Sequence, residues 1–593
     1  MSRAPMVFPA LGEFVRYLES KGELRRIKAQ VDPRLEVTEI AVRALREQKP
    51  ALLFENVKGS RFPLAVNVYA SAKRLNMALG RDPELIGLEL IDFAERMMPP
   101  KLSALWSSRN MIVRALKARP ATVASALSQE IVSQLSFDDL PIQVCWPKDG
   151  GRFITQGEVV TYDPAEGKRN IGMYRMHVFS GTETGMHWQI QKGGGFHHYR
   201  AEQRRQDLEV AVALGTDPAL LLASIAALPE GLDEALFAAF LRGSPTKFAK
   251  GTSLSIAVPA SAEFVLEGIV PADERRKEGP FGDHFGHYSH ASPFPVFHLR
   301  KITHRKNPIY PATVVGIPPM EDKFLGDATQ LILGPLARLI HKEVKELWAY
   351  YEAGFHNLLV VSVEERYHKE AMKAAFGLMG TGQLSLTKCL ILVSEGVNPR
   401  NWKDVLKEIR AHFDPHFDFV LLPKVPLDTL DFTSFTMELG SKMIVDATRK
   451  RRPHAPVKAV RLDTKGIRSF DRRITDAAVV DDALLLVKVK GEGKKIVEKL
   501  VRKKELRNLK IIAAVSDDVD IRNEENYLWG VFTRFDCERD LIFTEQNLVG
   551  IAPVYKGVMG IDATWKKGYP EPLIMDEKIV RQVDRRWNEL WSD

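Results

Sequence analysis

Two polar, glycine-rich stretches hold the residues best able to do chemistry. The first runs from Arg169 to Phe179 (RNIGMYRMHVF) and continues through His187-Trp188-Gln189 to Lys192 and three glycines, Gly193, Gly194 and Gly195. Side chains alternate along an extended chain, so over 173–179 Arg175 and His177 share one face while Tyr174, Met176 and Val178 share the other. A cation would then be presented from a rigid sheet. Glycines beside Lys192 allow close backbone approach to a phosphate, with amide donors and one cation; the same composition also suits a structural hairpin. The second stretch is Glu278-Gly279-Pro280-Phe281-Gly282-Asp283-His284, continuing to His290. Its glycines and proline force a turn, which lets Glu278 and Asp283 converge on one pocket. With Arg175 nearby, the arginine would pair with one carboxylate while a desolvated partner holds a proton near neutral pH. His284, His287 and His290 recur every third residue, a spacing that does not converge on a metal outside a helix. Adjacent His197 and His198 point apart in regular structure.

The elements that must position these residues change texture along the chain. Leu11, Phe14, Val15 and Leu18 mark one helix face, and ALLFENV and PLAVNVY read as buried strands, so residues 1–120 form an N-terminal α/β domain. Over 121–320 short alternating strands with turn signals predict an antiparallel sheet or barrel, interrupted by helices over 202–227 and 233–242. A helix predicted over Thr329–Tyr351 makes 321–352 a linking segment. The rest repeats itself. Ser394 matches Ser516, Arg400 matches Arg522 and Phe413-Asp414 matches Phe535-Asp536, all at an offset of 122, while Asp446 matches Asp562 at 116. This predicts a duplicated α/β domain, with copy one over 353–450, a basic linker over 451–477, and copy two with the tail over 478–593. The fold class is mixed α/β, multidomain.

Composition narrows the class of function. The 593 residues are 45% apolar and 27% charged, which excludes a disordered or fibrous chain. No apolar run reaches membrane-spanning length, and the charged N-terminal stretch does not read as a signal peptide, so a cytoplasmic protein is expected. The formal charge of +8 is concentrated between Arg449 and Asp476, where ten Lys or Arg meet three Asp. Nucleic acid is therefore not expected as a partner; the basic segment is a solvated linker or an attraction toward anionic lipid. Cys145, Cys389 and Cys537 lie far apart in the chain, which excludes a disulfide framework or a cysteine-rich zinc site.

Several linked motifs resemble the UbiD family of reversible decarboxylases that use prenylated FMN. They are Asn170 to Arg175, Lys192-Gly193-Gly194, Pro259 to Gly268, Glu278 to His284, and Leu439 to Met443 with Asp446-Ala447-Thr448. The resemblance implies that Asn170 and Glu234 hold a divalent metal, usually manganese, against the cofactor phosphate, since oxygen ligands suit a hard ion. It also admits a potassium ion. Asn170, Met173, Tyr174, Arg175, His187, Trp188, Gln189, Lys192 and Gly193 would line the cofactor, with Lys442 near it. Gly193 stands where some relatives carry a histidine ligand. Val558 replaces Lys442 in copy two, which implies a structural role for that copy.

In the implied chemistry the modified flavin accepts the electron pair as carbon dioxide leaves. Arg175 would orient the substrate carboxylate and pair with Glu278, and Asp283 would deliver the proton. Aspartate at 283 favours a hydroxyarene acid over an acrylic acid, with a polyprenyl-hydroxybenzoate or related quinone precursor as substrate. The resemblance further implies a split β-barrel of flavin-reductase type in the centre, self-association through the C-terminal domain as a dimer or hexamer, a flavin prenyltransferase as cofactor supplier, and peripheral contact with the inner membrane face. The same residues would serve carboxylation or another polycyclic acid. A non-catalytic subunit of this fold and a histidine-based metal hydrolase are the readings from other classes; intact Asn170, Arg175, Glu234, Glu278 and Asp283 weigh against the first.

Overall fold

The computed structural model describes residues 8–98, 103, 106, 108–189, 193–229, 231–434, 436, 438–450 and 464–592. Lys192 and residues 451–463 of the basic linker lie outside them. The chain divides into two compact units, Met1–Ile332 with Pro572–Asp593, and Leu333–Glu571.

In the first unit, strands Leu24–Ile27, Ala51–Phe54, Leu64–Val66 and Tyr310–Pro311 make a four-stranded sheet. Helix Leu11–Ser20 buries Leu11, Phe14, Val15 and Leu18, the face its spacing predicts. The larger sheet of the unit is antiparallel throughout. Its order is Glu183–Gly185, Ser292–His304, Phe264–Val270, Leu208–Leu214, Glu158–Tyr162 and Arg169–Met173. Ile131–Ser133 and Arg275–Glu278 also pair with the long strand Ser292–His304. This sheet carries Asn170 on one strand and delivers Glu278 from the end of another.

Four expectations are corrected. The helix predicted over 202–227 is split by strand Leu208–Leu214, which runs between Phe264–Val270 and Glu158–Tyr162. LEVAVAL is nearly wholly buried, so its β-branched residues pack as a central strand and its apolar run mimics a buried helix. The glycines at 193–195 make no hairpin; they open helix Gly193–Gln203. The helix predicted over Thr329–Tyr351 runs instead over Glu321–Leu333. Gly334-Pro335 breaks its hydrogen-bond ladder, and Val344–Ala349 pairs as an antiparallel strand with Leu359–Val363. The tail grouped above with copy two belongs to the first unit: helix Glu577–Trp591 packs on helix Glu36–Arg46, with Arg586 Nη1 2.5 Å from Glu36 and Arg43 Nη1 2.7 Å from Asp584.

The second unit holds two five-stranded sheets of identical plan. The first is ordered Val344–Ala349, Leu359–Val363, Cys389–Ser394, Leu439–Asp446, Phe419–Pro426, and the second Ile474–Val480, Leu484–Val489, Ile511–Val515, Ala552–Ala563, Leu541–Val549. In both, the outer pairings are antiparallel and the two central ones parallel. Cys389 and Cys537, distant in sequence, are side by side in space, so chain separation was a poor guide to their proximity. Lys388 and Asp431 form an ion pair of 2.8 Å with both side chains fully buried. Lys388→Met should cost about 3–5 kcal/mol by stranding the Asp431 charge, whereas adding Asp431→Leu should recover much of it; urea titrations of the single and double variants check this. Among the described residues no helix is long and apolar enough to cross a membrane.

Candidate active site

Strand Arg169–Met173 ends just before Arg175, and the chain then turns toward the loop 278–289. That loop folds on itself: Asp283 N–H donates to His287 O at 3.1 Å and Ser289 N–H to Phe281 O at 2.8 Å. Asp149 anchors it from outside, its Oδ1 accepting from Gly282 N–H at 2.8 Å and its Oδ2 from Trp146 and Cys145 N–H at 2.8 and 3.0 Å. Burial pushes the Asp149 carboxyl up to about 6, against those amide donors. Neither Asp149 nor Ser289 was singled out from sequence. A signal existed in Gly150 and Gly151, whose added Cβ atoms would fall 2.3 Å from Gly279 O and 2.6 Å from His177 Nε2.

The guanidinium of Arg175 spans both carboxylates. Its Nε donates to Glu278 Oε1 at 2.9 Å, its Nη1 to Asp283 Oδ2, and its Nη2 to Ser289 Oγ at 3.1 Å, while its plane lies over Phe281 at 4.8 Å. His187 Nδ1 donates to the same Glu278 oxygen at 2.8 Å. His284 approaches Asp283 Oδ1 through both ring Nδ1 and backbone N–H, each at 2.7 Å. Burial would raise both acids, but Arg175 with His284 holds Asp283, and His187 with Arg175 holds Glu278, below the usual carboxylate range. The expected division, one carboxylate paired and the other protonated, is therefore corrected. One planar cation fits between the two acids and keeps both ionised.

A second group of residues converges beside it. Asn170 lies so close to Gly193 that a Cβ there would sit 2.0 Å from Asn170 Oδ1. Glu234 opens helix Glu234–Arg242, capped by Asp233 through Ala235 N–H at 2.8 Å, and its Oε2 accepts from Ile171 N–H at 3.0 Å. Gly194 N–H donates to Tyr174 hydroxyl at 3.2 Å, and Trp188 stands edge-on to that ring. Met173 and Gln189 are half-buried. Lys442 belongs to the second unit, where its ammonium donates to Ser385 O. His197 and His198 are buried and point apart, toward Thr161 Oγ1 and Pro271 O. His287 Nδ1–H donates to Phe285 O at 2.9 Å.

The residues fit the groups that the motifs imply. Among the described residues, Glu278 Oε2, His187 Nε2 and Trp188 Nε1 are buried and find no hydrogen-bond partner, a costly state that a bound polar molecule relieves. Glu234 Oε2 meets the backbone of Ile171, the neighbour of Asn170, and the two side chains supply one carboxamide and one carboxylate, a hard donor set that would suit a divalent ion. Among the described residues no group of three His, Cys, Asp or Glu forms a complete cage. Gly193→Ala should displace Asn170 and lower retained metal and flavin about 10- to 100-fold, read by metal analysis and absorbance, without loss of helix stability.

Comparison with known proteins identifies the family. Family models described as the N-terminal, Rift-related and C-terminal domains of 3-octaprenyl-4-hydroxybenzoate carboxy-lyase match residues 15–94, 119–318, and 323–447 with 471–563. A relative from Chlamydia pneumoniae, named as one of the subunits of a 4-hydroxybenzoate decarboxylase, is 36% identical over 590 residues, 98% of each chain. An uncharacterised protein of Archaeoglobus fulgidus is 44% identical over 449 residues, 75% of this chain and 93% of its own. Among solved structures, the closed form of the vanillic acid decarboxylase of Sedimentibacter hydroxybenzoicus has a TM-score of 0.68 at 27% identity, covering 77% of this chain and 96% of that one. The UbiD-class enzyme HmfF of Pelotomaculum thermopropionicum, in complex with FMN, has a TM-score of 0.63 at 25% identity, covering 78% and 99%. With matches to all three domain models and a full-length relative above one-third identity, the chain belongs to the UbiD family of decarboxylases.

Proposed function

We propose that this protein is a non-oxidative, prenylated-FMN-dependent decarboxylase of a hydroxyarene carboxylic acid, of the polyprenyl-hydroxybenzoate type and serving quinone biosynthesis. The observation that carries the reading is the buried Arg175 fork between Glu278 and Asp283. The names of the relatives, a 4-hydroxybenzoate and a vanillic acid decarboxylase, support a hydroxylated benzoate as the substrate class. When bound, the prenylated flavin supplies the electron sink for the departing carboxylate. Asn170 and Glu234 would hold its phosphate through a manganese ion, and His187, Trp188 and Glu278 would offer it their buried polar atoms. The antiparallel sheet of the first unit would be the split barrel that carries it.

The residues of the chain divide the proton work. At rest Arg175 and His284 keep Asp283 ionised. A substrate carboxylate that recruits Arg175 withdraws the main cation from a buried acid, and burial then favours the protonated form. Asp283 would take up a proton as the substrate settles and release it to the ring carbon after carbon dioxide has left. Glu278, held by His187, keeps Arg175 in place while its partner changes.

Production of the protein together with a flavin prenyltransferase tests the reading. The expected result is a bound flavin with the mass of prenylated FMN and an absorbance distinct from FMN. A protein that retains no flavin-derived ligand under those conditions would contradict it.

A further inference from the structure

The contact between the two C-terminal copies has the symmetry of a dimer interface. Lys388 and Lys510 are equivalent at the offset of 122, as are Phe413 and Phe535. Lys388 Nζ of copy one donates to Phe535 O of copy two at 3.0 Å, and Lys510 Nζ of copy two donates to Phe413 O of copy one at 2.7 Å. Residue i of one copy touches j of the other while the equivalent of i touches the equivalent of j, which is the signature of a two-fold, isologous interface. The seam between the sheets repeats this rule. Ile409 and Val531, Met443 and Met559, and Val445 and Ile561 are equivalent pairs, and all six line one apolar space.

The symmetry is not exact, and some polar contacts run one way only: Arg539 of copy two donates to Thr433 O, and its equivalent in copy one is Phe417. Ser441 Oγ donates to Asp536 Oδ2 at 3.0 Å and accepts from Glu538 N–H, but the equivalent of Ser441 is Gly557, with no hydroxyl to return the contact. Val558 likewise stands in place of Lys442. Copy two thus keeps the lysine and the apolar residues of the seam and has lost the hydroxyl and the ammonium that copy one carries at Ser441 and Lys442. The Archaeoglobus fulgidus relative, matched over 93% of its own length but 75% of this chain, is shorter by roughly one copy. A one-copy chain has no such cover within itself.

We infer that copy two acts as a built-in partner: it fills in cis the self-complementary face that copy one would otherwise present to a second molecule of this chain. The expectation of self-association through the C-terminal domain is then met inside one polypeptide. The proposal does not rest on the decarboxylase reading, since it concerns only the second unit.

Carbodiimide coupling of the intact protein, followed by denaturing electrophoresis and peptide mapping of each band, tests it. The exposed Lys403 of copy one lies within electrostatic reach of the exposed Glu524 of copy two. Arg410 Nη1 is 3.3 Å from Asp482, so Arg410→Lys provides a second couple. Both couples are expected in the single-chain band, and Glu524→Gln should remove the first alone. Couples confined to the two-chain band would mean that copy two docks on another molecule, and no cross-copy couple in either band would mean that the seam does not form; either result overturns the inference.

Discussion

Asp283→Asn is expected to lower kcat about 100- to 10,000-fold while leaving bound flavin and its spectrum unchanged. The substitution is nearly isosteric, and the side chain is buried with only 7% of its surface exposed, so little repacking follows. Asparagine keeps one accepting oxygen, so it can answer either the His284 N–H at Oδ1 or Arg175 at Oδ2 and not both, and it cannot return a proton. Because Asp283 meets Arg175 and His284, the loss should fall on turnover and leave KM close to that of the parent. Single-turnover kinetics of the loaded enzyme measure it. Turnover near that of the parent would remove Asp283 from the acid role.

Arg175→Met carries the second large effect, on stability as well as rate. Removing the cation leaves Glu278 and Asp283 buried and facing each other, which should cost about 3–5 kcal/mol at neutral pH. The pH dependence has a definite sign. In the parent both acids are held below their unfolded values, so their contribution is present above the ordinary carboxylate range and is lost as pH falls through the depressed values. In the variant Asp283 loses its main cation and burial raises it, while His187 still holds Glu278, so the variant recovers stability as pH falls toward about 4. The gap between parent and variant should therefore be widest at neutral pH and close on acidification. Urea midpoints across that range check it, and a gap independent of pH would contradict the arrangement.

The convergence of Arg175, Glu278 and Asp283 was legible because it rests on local rules. Arg175 follows closely on strand Arg169–Met173, in the break before Met176–His177, and a glycine-proline turn folds Asp283 back beside Glu278. What stayed hidden depends on tertiary neighbours. Asp149 reaches the loop only through the folded backbone, and the single cation serving two acids follows from the plane of a guanidinium placed between them. LEVAVAL at 208–214 is buried on both faces, and a fully buried strand carries no alternation to separate it from a buried helix. VKELWA at 344–349 suits either element until Gly334-Pro335 is seen to end the helix before it. The repeat was legible as an offset, whereas its two-fold contact needed Lys388 and Lys510 in space.

In the proposed reaction the Arg175 fork and Asp283 serve the decarboxylation of an aromatic acid on a prenylated flavin. The most direct measurement is anaerobic carbon dioxide release by the loaded protein from a panel of hydroxybenzoates, with Asp283→Asn as control. Release from at least one hydroxyarene acid by the parent, together with a silent variant carrying the same flavin, is the predicted result. A loaded parent protein that releases carbon dioxide from none of them, or a variant that matches the parent, would contradict the account.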